Sequence, residues 1–238
     1  MKNKSSYVIA LLSILFVLAN SCKKEETPDE IIVTTVTTPH TITDVDGNVY
    51  QTAVIGTQVW MAENLNVTHY RNGDPISEVT NNMQWSSFLN GAYCDYDLYT
   101  SENSSHYGKF YNWYALNDSR KIAPTGWHIP TDTDWNNLLS YLGIADSAGG
   151  KLKQTGTNSW NSPNTGATNS TGFTALAVGS RDEGGTFSDF RKYACFWSST
   201  EGAVSTVASY RLLYNTSSFF GAGAIEKASG LSIRCVKD

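Results

Sequence analysis

Alternation of apolar and polar side chains sets in at Thr41, where Thr41-Ile42-Thr43-Asp44-Val45-Asp46-Gly47-Asn48-Val49-Tyr50-Gln51-Thr52-Ala53-Val54-Ile55 places Asp46-Gly47 between two runs of period two. That pattern predicts a β-hairpin, because Asp-Gly readily supplies the positive φ angles of a tight turn. Gly56-Thr57 marks a second turn into Gln58-Val59-Trp60-Met61, so a small meander is expected, with Trp60 entering the core and a long loop region after it. Tyr107, Phe110, Tyr111 and Tyr114 then fall at helical spacing behind Ser104-Ser105 and predict an amphipathic helix with an aromatic inner face. A second helix is signalled by the capping-box spacing of Thr131-Asp132-Thr133-Asp134, followed by Trp135, Leu138, Leu139 and Leu142 and stopped by Gly143. Strand-like islands at Phe173 to Val178, Phe196 to Ser198, Tyr210 to Tyr214 and Leu231 to Val236 stand in Gly-, Ser-, Thr- and Asn-rich chain. They read as too short and too far apart for a sandwich of regular hairpins, and no fixed repeat period supports a propeller or solenoid. The expected class is α+β, with two helices, short twisted antiparallel strands and long loops.

Upstream of this pattern the chain is of another kind. Lys2 and Lys4 precede the uncharged run Tyr7 to Leu18, and small residues lead to Cys22, which together read as a secretory signal over residues 1–21. Leu18-Ala19-Asn20-Ser21-Cys22 resembles a lipoprotein processing site, and the bulk of Asn20 resembles the looser sites of Bacteroidetes lipoproteins. Cys22 is then the expected lipidation site, and acyl chains at about 0.8 kcal/mol per buried methylene would anchor the protein to a membrane without a spanning helix. Residues 22–41 are acidic, Thr-rich and interrupted by Pro28 and Pro39, the composition of a flexible tether. Lys24-Glu25-Glu26 is similar to the short charged export signals of some Bacteroidetes lipoproteins, and reads equally well as a solvated linker. The expected location is the cell envelope, as an outer-membrane lipoprotein, with surface display one of its two faces.

Composition narrows the partners. The formal net charge of −5 excludes a typical nucleic-acid binder. The apolar run is shorter than the roughly 20 residues of a spanning helix, which leaves the lipid as the expected link to the membrane. Charged residues make up only 16 % while 12 % are aromatic, with seven Trp, so residues 42–238 have the apolar mass for one packed domain and polar neutral side chains for its loops.

Six strings carry a resemblance. Asp46 to Tyr50, Ile55 to Leu65, Tyr107 to Ala115, Pro124 to Thr131, Phe196 to Glu201 and Ile233 to Asp238 look like the Fibrobacter succinogenes major paralogous domain, in order and over nearly all of residues 43 to 238. That family in turn resembles the formylglycine-generating enzymes and the C-type lectin-like fold through Gly126-Trp127-His128-Ile129-Pro130-Thr131 and Arg234-Cys235. The resemblance implies a C-type lectin-like domain whose Trp60, Trp113, Trp127, Trp135 and Trp197 are core. It fixes architecture far better than function.

The chemistry of those wider relatives is not matched. The stretch Tyr210 to Phe220, where the oxidases would carry a copper-binding thiol pair, contains no Cys, so thiol oxidation is not expected and no cofactor is implied. The calcium-dependent sugar motifs find only Asp74-Pro75, Ser162-Pro163-Asn164 and Trp135-Asn136-Asn137, none of which fits. Asp95, Asp97 and Glu102 form a weak candidate oxygen cluster whose plainer reading is a solvated acidic loop. His40, His69, His106 and His128 lack metal-ligand spacing, and no nucleophile elbow or phosphate loop occurs. Trp85 and Trp160, set among Asn and Ser, are the candidates for stacking a sugar ring, against the alternative that they plug the core beneath the loops. Export to an oxidising compartment allows one disulfide among the three unlipidated Cys. Relatives often carry a Cys where this chain has Ala123, and Cys94, unlike Cys195, lies in a family-like string, so the resemblance implies Cys94 with Cys235. The functional expectation is an envelope-anchored lipoprotein presenting a non-catalytic recognition domain, glycan favoured over a surface protein as ligand. A structural envelope component without soluble ligand, or an unrecognised enzyme, competes with it. A palmitate analogue is expected to label the wild type and not Cys22→Ala, and an unlabelled wild type would remove the anchor.

Overall fold

The first strands form where the alternation predicts them. In the computed structural model, which describes residues 40–96 and 104–238, β1 (Thr41–Thr43) pairs antiparallel with β2 (Val49–Ile55), in the register Ile42 to Tyr50. The Asp44 carboxylate closes the turn by accepting from the Asp46 and Asn48 amides at 2.9 and 3.0 Å and from the Tyr50 hydroxyl. β2 then turns into β3 (Gln58–Met61), with Ala53 opposite Trp60.

The chain from there departs from its pattern. The region expected to be loop holds β4 (Ser77–Glu78), α1 (Asn82–Ser87) and β5 (Ala92–Cys94). The aromatic stripe from Tyr107 to Tyr114 is not one helix. It is divided among α2 (Ser104–Tyr107), β6 (Phe110–Tyr111) and α3 (Trp113–Leu116). Gly108 makes the break: its φ of 71° is left-handed, and any Cβ there would collide with Asn64. Local periodicity loses here to packing against a distant segment.

β7 (Trp127–His128) is followed by α4 (Asp132–Leu142), which has the expected capping box of Thr131 and Asp134 and ends at Gly143. α5 (Ala145–Leu152) was not expected, because Gly149 and Gly150 weaken its helical signal. Both glycines let the helix approach backbone closely, since a Cβ on them would strike the carbonyl oxygens of Phe219 and Gly166. β8 (Ser180–Arg181) and β9 (Phe187–Ser188) form a small ribbon. β10 (Tyr193–Glu201), β11 (Val207–Tyr214) and β12 (Phe220–Glu226) make an antiparallel meander of longer strands than the apolar islands suggested. β13 (Val236–Lys237) returns between β3 and β7, completing a sheet in the order β1-β2-β3-β13-β7. The class is α+β, with more helices than the two expected.

Three apolar clusters fill the space between these elements. Trp113, Trp127 and Trp197 sit in the first, Trp60, Trp135 and Trp160 in the second, and Trp85 with Phe110 in the third. The five Trp of the family-like strings are all buried, as expected.

Three cations lie in or between these clusters at 0 % exposure: Lys153, Arg181 and Arg234. Among the described residues none is ion-paired. Their partners are main-chain oxygens, mostly of loops and otherwise at the ends of β3 and β11, and the side-chain oxygens of two Asn. Arg234 donates to Asn64 Oδ1 at 2.7 Å and to the carbonyls of Met61, Phe173 and Thr174. Arg181 donates to the carbonyls of Gly185, Val79 and Thr80 and to Asn82 Oδ1. Lys153 Nζ reaches the carbonyls of Thr165, Tyr214 and Ser217 at 2.8, 2.8 and 2.9 Å, and burial pushes its pKa down to about 8. The planar guanidinium also stacks, Arg181 over Trp85 at 4.3 Å and Arg234 over Phe173 at 4.6 Å. Arg234→Lys is expected to cost about 2–4 kcal/mol in urea unfolding, because an ammonium cannot span four acceptors and leaves buried carbonyls unpaired. An unchanged midpoint would show that the fork is dispensable.

Candidate functional site

A cleft of about 290 Å³ opens beside β7. Its apolar floor is made by Leu116, Ile122, Trp127 and Ile129, and its rim by Arg71, Lys121, His128, Thr131, Ser199 and Asp238. A neighbouring cleft of about 320 Å³ shares Arg71, Ile122 and Ala123 with it.

Two distant segments build this place. β13 pairs with β7, Val236 opposite His128, and so brings Asp238 to the rim. Arg71 fixes the other wall: its Nε and Nη2 donate to the carbonyls of Ala123, Pro124 and Trp127 at 2.8–3.0 Å, and its amide donates to the Lys121 carbonyl at 2.7 Å. Lys121 itself takes a φ of 59°, a conformation few non-glycine residues adopt. The turn before Trp127 is thus held by one guanidinium, as the interior loops are.

His128 is clamped between two acids, Nδ1 at 2.8 Å from Asp238 Oδ1 and Nε2 at 3.2 Å from Asp134 Oδ2. Asp134 is also the acidic half of the α4 capping box, accepting from the Thr131 amide at 2.8 Å and its hydroxyl at 2.6 Å. Burial would raise the Asp134 carboxyl, but the hydrogen bonds of Thr131 and His128 outweigh it and hold the pKa below the ordinary value. Ser199 Oγ faces the carbonyls of Ile129 and Pro130 at 3.1 and 3.3 Å, while both His128 nitrogens face carboxylates, so these residues make no serine–histidine relay. What the cleft offers is an apolar floor beside donors and acceptors.

The comparisons bear on the same residues. The family model of the Fibrobacter succinogenes major domain matches residues 54–237, a span that includes β7, β13, Arg71 and all of the cleft's lining except Asp238. The chain belongs to this family. No curated protein matches, and no solved structure does.

In this Fibrobacter succinogenes major domain the residues singled out from sequence lie elsewhere. Trp85 and Trp160 are buried, at 1 % and 0 % exposure, so neither indole is a face for a sugar. Trp85 lies under Arg181, and Trp160 donates from Nε1 to the Ala175 carbonyl at 2.9 Å. Their polar neighbours misled because those of Trp85 lie on the exposed side of α1, with Asn81 as its N-cap, while the ring turns inward. Cys94 and Cys235 are not joined: Cys94, Cys195 and Cys235 are all free and buried. Cys94 packs in the cluster of Trp85, whereas Cys235 packs with Trp197, so the partners implied by the resemblance sit in separate cores. Burial pushes the Cys94 and Cys195 thiols up to about 12 and Cys235 higher.

Asp95 is paired with Lys109 at 2.9 Å, and Asp97, Glu102 and Cys22 lie outside the described residues. Among the described residues no three His, Cys, Asp or Glu gather as metal ligands. Sequence reasoning missed Arg71 and Lys121, which no motif marks because their role arises only when segments far apart in the chain meet. It also missed a half-buried aromatic face on the meander, where Tyr193 and Tyr214 meet edge-on at 5.4 Å. A thiol reagent is expected to leave all three Cys unmodified in the native protein and to modify them on unfolding, with reductant leaving the melting temperature unchanged. Protection of two thiols in unfolded, unreduced protein would restore a disulfide.

Proposed function

We propose that this chain is an envelope lipoprotein, anchored through Cys22 to the outer membrane, which presents a C-type lectin-like, non-catalytic recognition domain to a glycan. The observation that carries the proposal is the cleft beside β7. A pyranose ring has an apolar C–H face and a rim of hydroxyls, and the cleft sets the floor of Ile122, Trp127 and Ile129 beside the polar groups of His128, Thr131 and Asp238. The adjoining cleft extends the same wall past Arg71, which suits a chain of sugar units better than a single one. The net charge of −5 speaks against nucleic acid as partner. A surface protein is the second class of ligand.

The test is a glycan array probed with the purified protein. A specific hit is expected, at least about tenfold weaker for Ser199→Tyr, whose ring would fill the cleft, which is about 1.4 kcal/mol, with melting unchanged. Tyr214→Ala, on the meander face, is expected to bind as wild type. Loss of binding in Tyr214→Ala and not in Ser199→Tyr would move the site to the meander, and an array without any hit would remove the glycan.

A further inference from the structure

Arg71 stands at the junction of the two clefts and lines both. Its Nε–Nη2 edge is taken up by the carbonyls of Ala123, Pro124 and Trp127. Among the described residues Nη1 has no hydrogen-bond partner, and it is not one of the buried polar atoms left without one, so solvent reaches it. Unlike the interior cations, this guanidinium keeps two N–H donors for something outside the chain.

The charges around it decide what that is. Lys121 is exposed on the same rim, and among the described residues neither it nor Arg71 has an acidic partner. Two acids line the clefts, Asp238 and Asp44, and neither is paired with Arg71 or Lys121. Asp238 is held by His128 at 2.8 Å, and the Asp44 oxygens accept from the Asp46 and Asn48 amides, the Asn48 side chain and the Tyr50 hydroxyl. His128, also on the rim, is engaged by Asp134 and Asp238 on its two nitrogens. What remains without a carboxylate partner among the described residues is the Nη1 edge of Arg71 and the exposed ammonium of Lys121, beside an apolar floor. A carboxylate takes hydrogen bonds from such a pair with its two oxygens while the ring that bears it rests on the floor.

We infer that Arg71 and Lys121 form a carboxylate-recognition pair, so that the glycan bound in these clefts contains uronic-acid units. The inference rests on the glycan proposal above and narrows it to acidic sugars.

Binding of the purified full chain to polygalacturonate, its methyl ester and a neutral galactan tests it. Affinity for the acid polymer is expected to fall at least about tenfold on esterification and on Lys121→Glu, and to weaken as salt is raised. Arg71→Lys retains a cation for the carbonyl cradle and withdraws Nη1, and is expected to lose binding likewise. Because that change also removes bonds to the turn before Trp127, Lys121→Glu at an exposed position carries the test, with its melting temperature as control. Equal binding of acid polymer and ester, or acid binding unmoved by Lys121→Glu, would overturn the carboxylate pair and leave glycan recognition standing. Failure to bind any member of a broad glycan panel would overturn the proposed function and this inference with it.

Discussion

Main-chain carbonyl groups buried by long loops need donors, and this fold supplies them from desolvated cations. A loop that runs through the interior cannot pair its oxygens as a strand or helix does, and each orphaned oxygen would cost more than an ordinary hydrogen bond contributes. Lys153, Arg181 and Arg234 answer that constraint with several donors on one side chain. Their own burial is costly and is offset by the convergence of oxygens and by stacking on Phe173 and Trp85. Arg181 holds the chain after β4 to the β8–β9 turn, and Arg234 holds the segment before β13 to the end of β3 and to Phe173 and Thr174, while the cores of Trp and Phe pack around the result.

Legibility in the sequence followed the range of the interactions. The β1–β2 hairpin and the α4 cap depend on residues within a turn of each other, so Asp46-Gly47 and Thr131 to Asp134 announced them. The stripe from Tyr107 to Tyr114 had good helical period, yet the contact of Gly108 with Asn64 divides it, and nothing near residue 108 reveals that neighbour. α5 was hidden for the converse reason: the glycines that weaken its propensity are what let it lie against backbone. Family-like strings located the buried Trp correctly because they mark packing. Composition around Trp85 and Trp160 did not, since amides and hydroxyls occur beside exposed rings and beside loop-covered ones alike.

The cleft depends on pairings that one sequence does not display. Gly126-Trp127-His128 was visible as a motif, but its chemistry needs Arg71 behind the turn, Asp238 brought in by β13 and Asp134 borrowed from the start of α4. Asp134 joins the two kinds of structure, since the same carboxylate caps a helix and orients the imidazole at the rim. Stability and the shape of the site are therefore coupled through a single side chain.

Arg71 grips the turn before Trp127 by main-chain oxygens alone. Such a grip is indifferent to which side chains the turn carries. Thr125, exposed in that turn, can be exchanged while the oxygens that meet the guanidinium stay where they are, so the wall of the cleft can change its chemical face without losing its position. A scaffold tied together by oxygens every residue possesses is free to diversify at its loops.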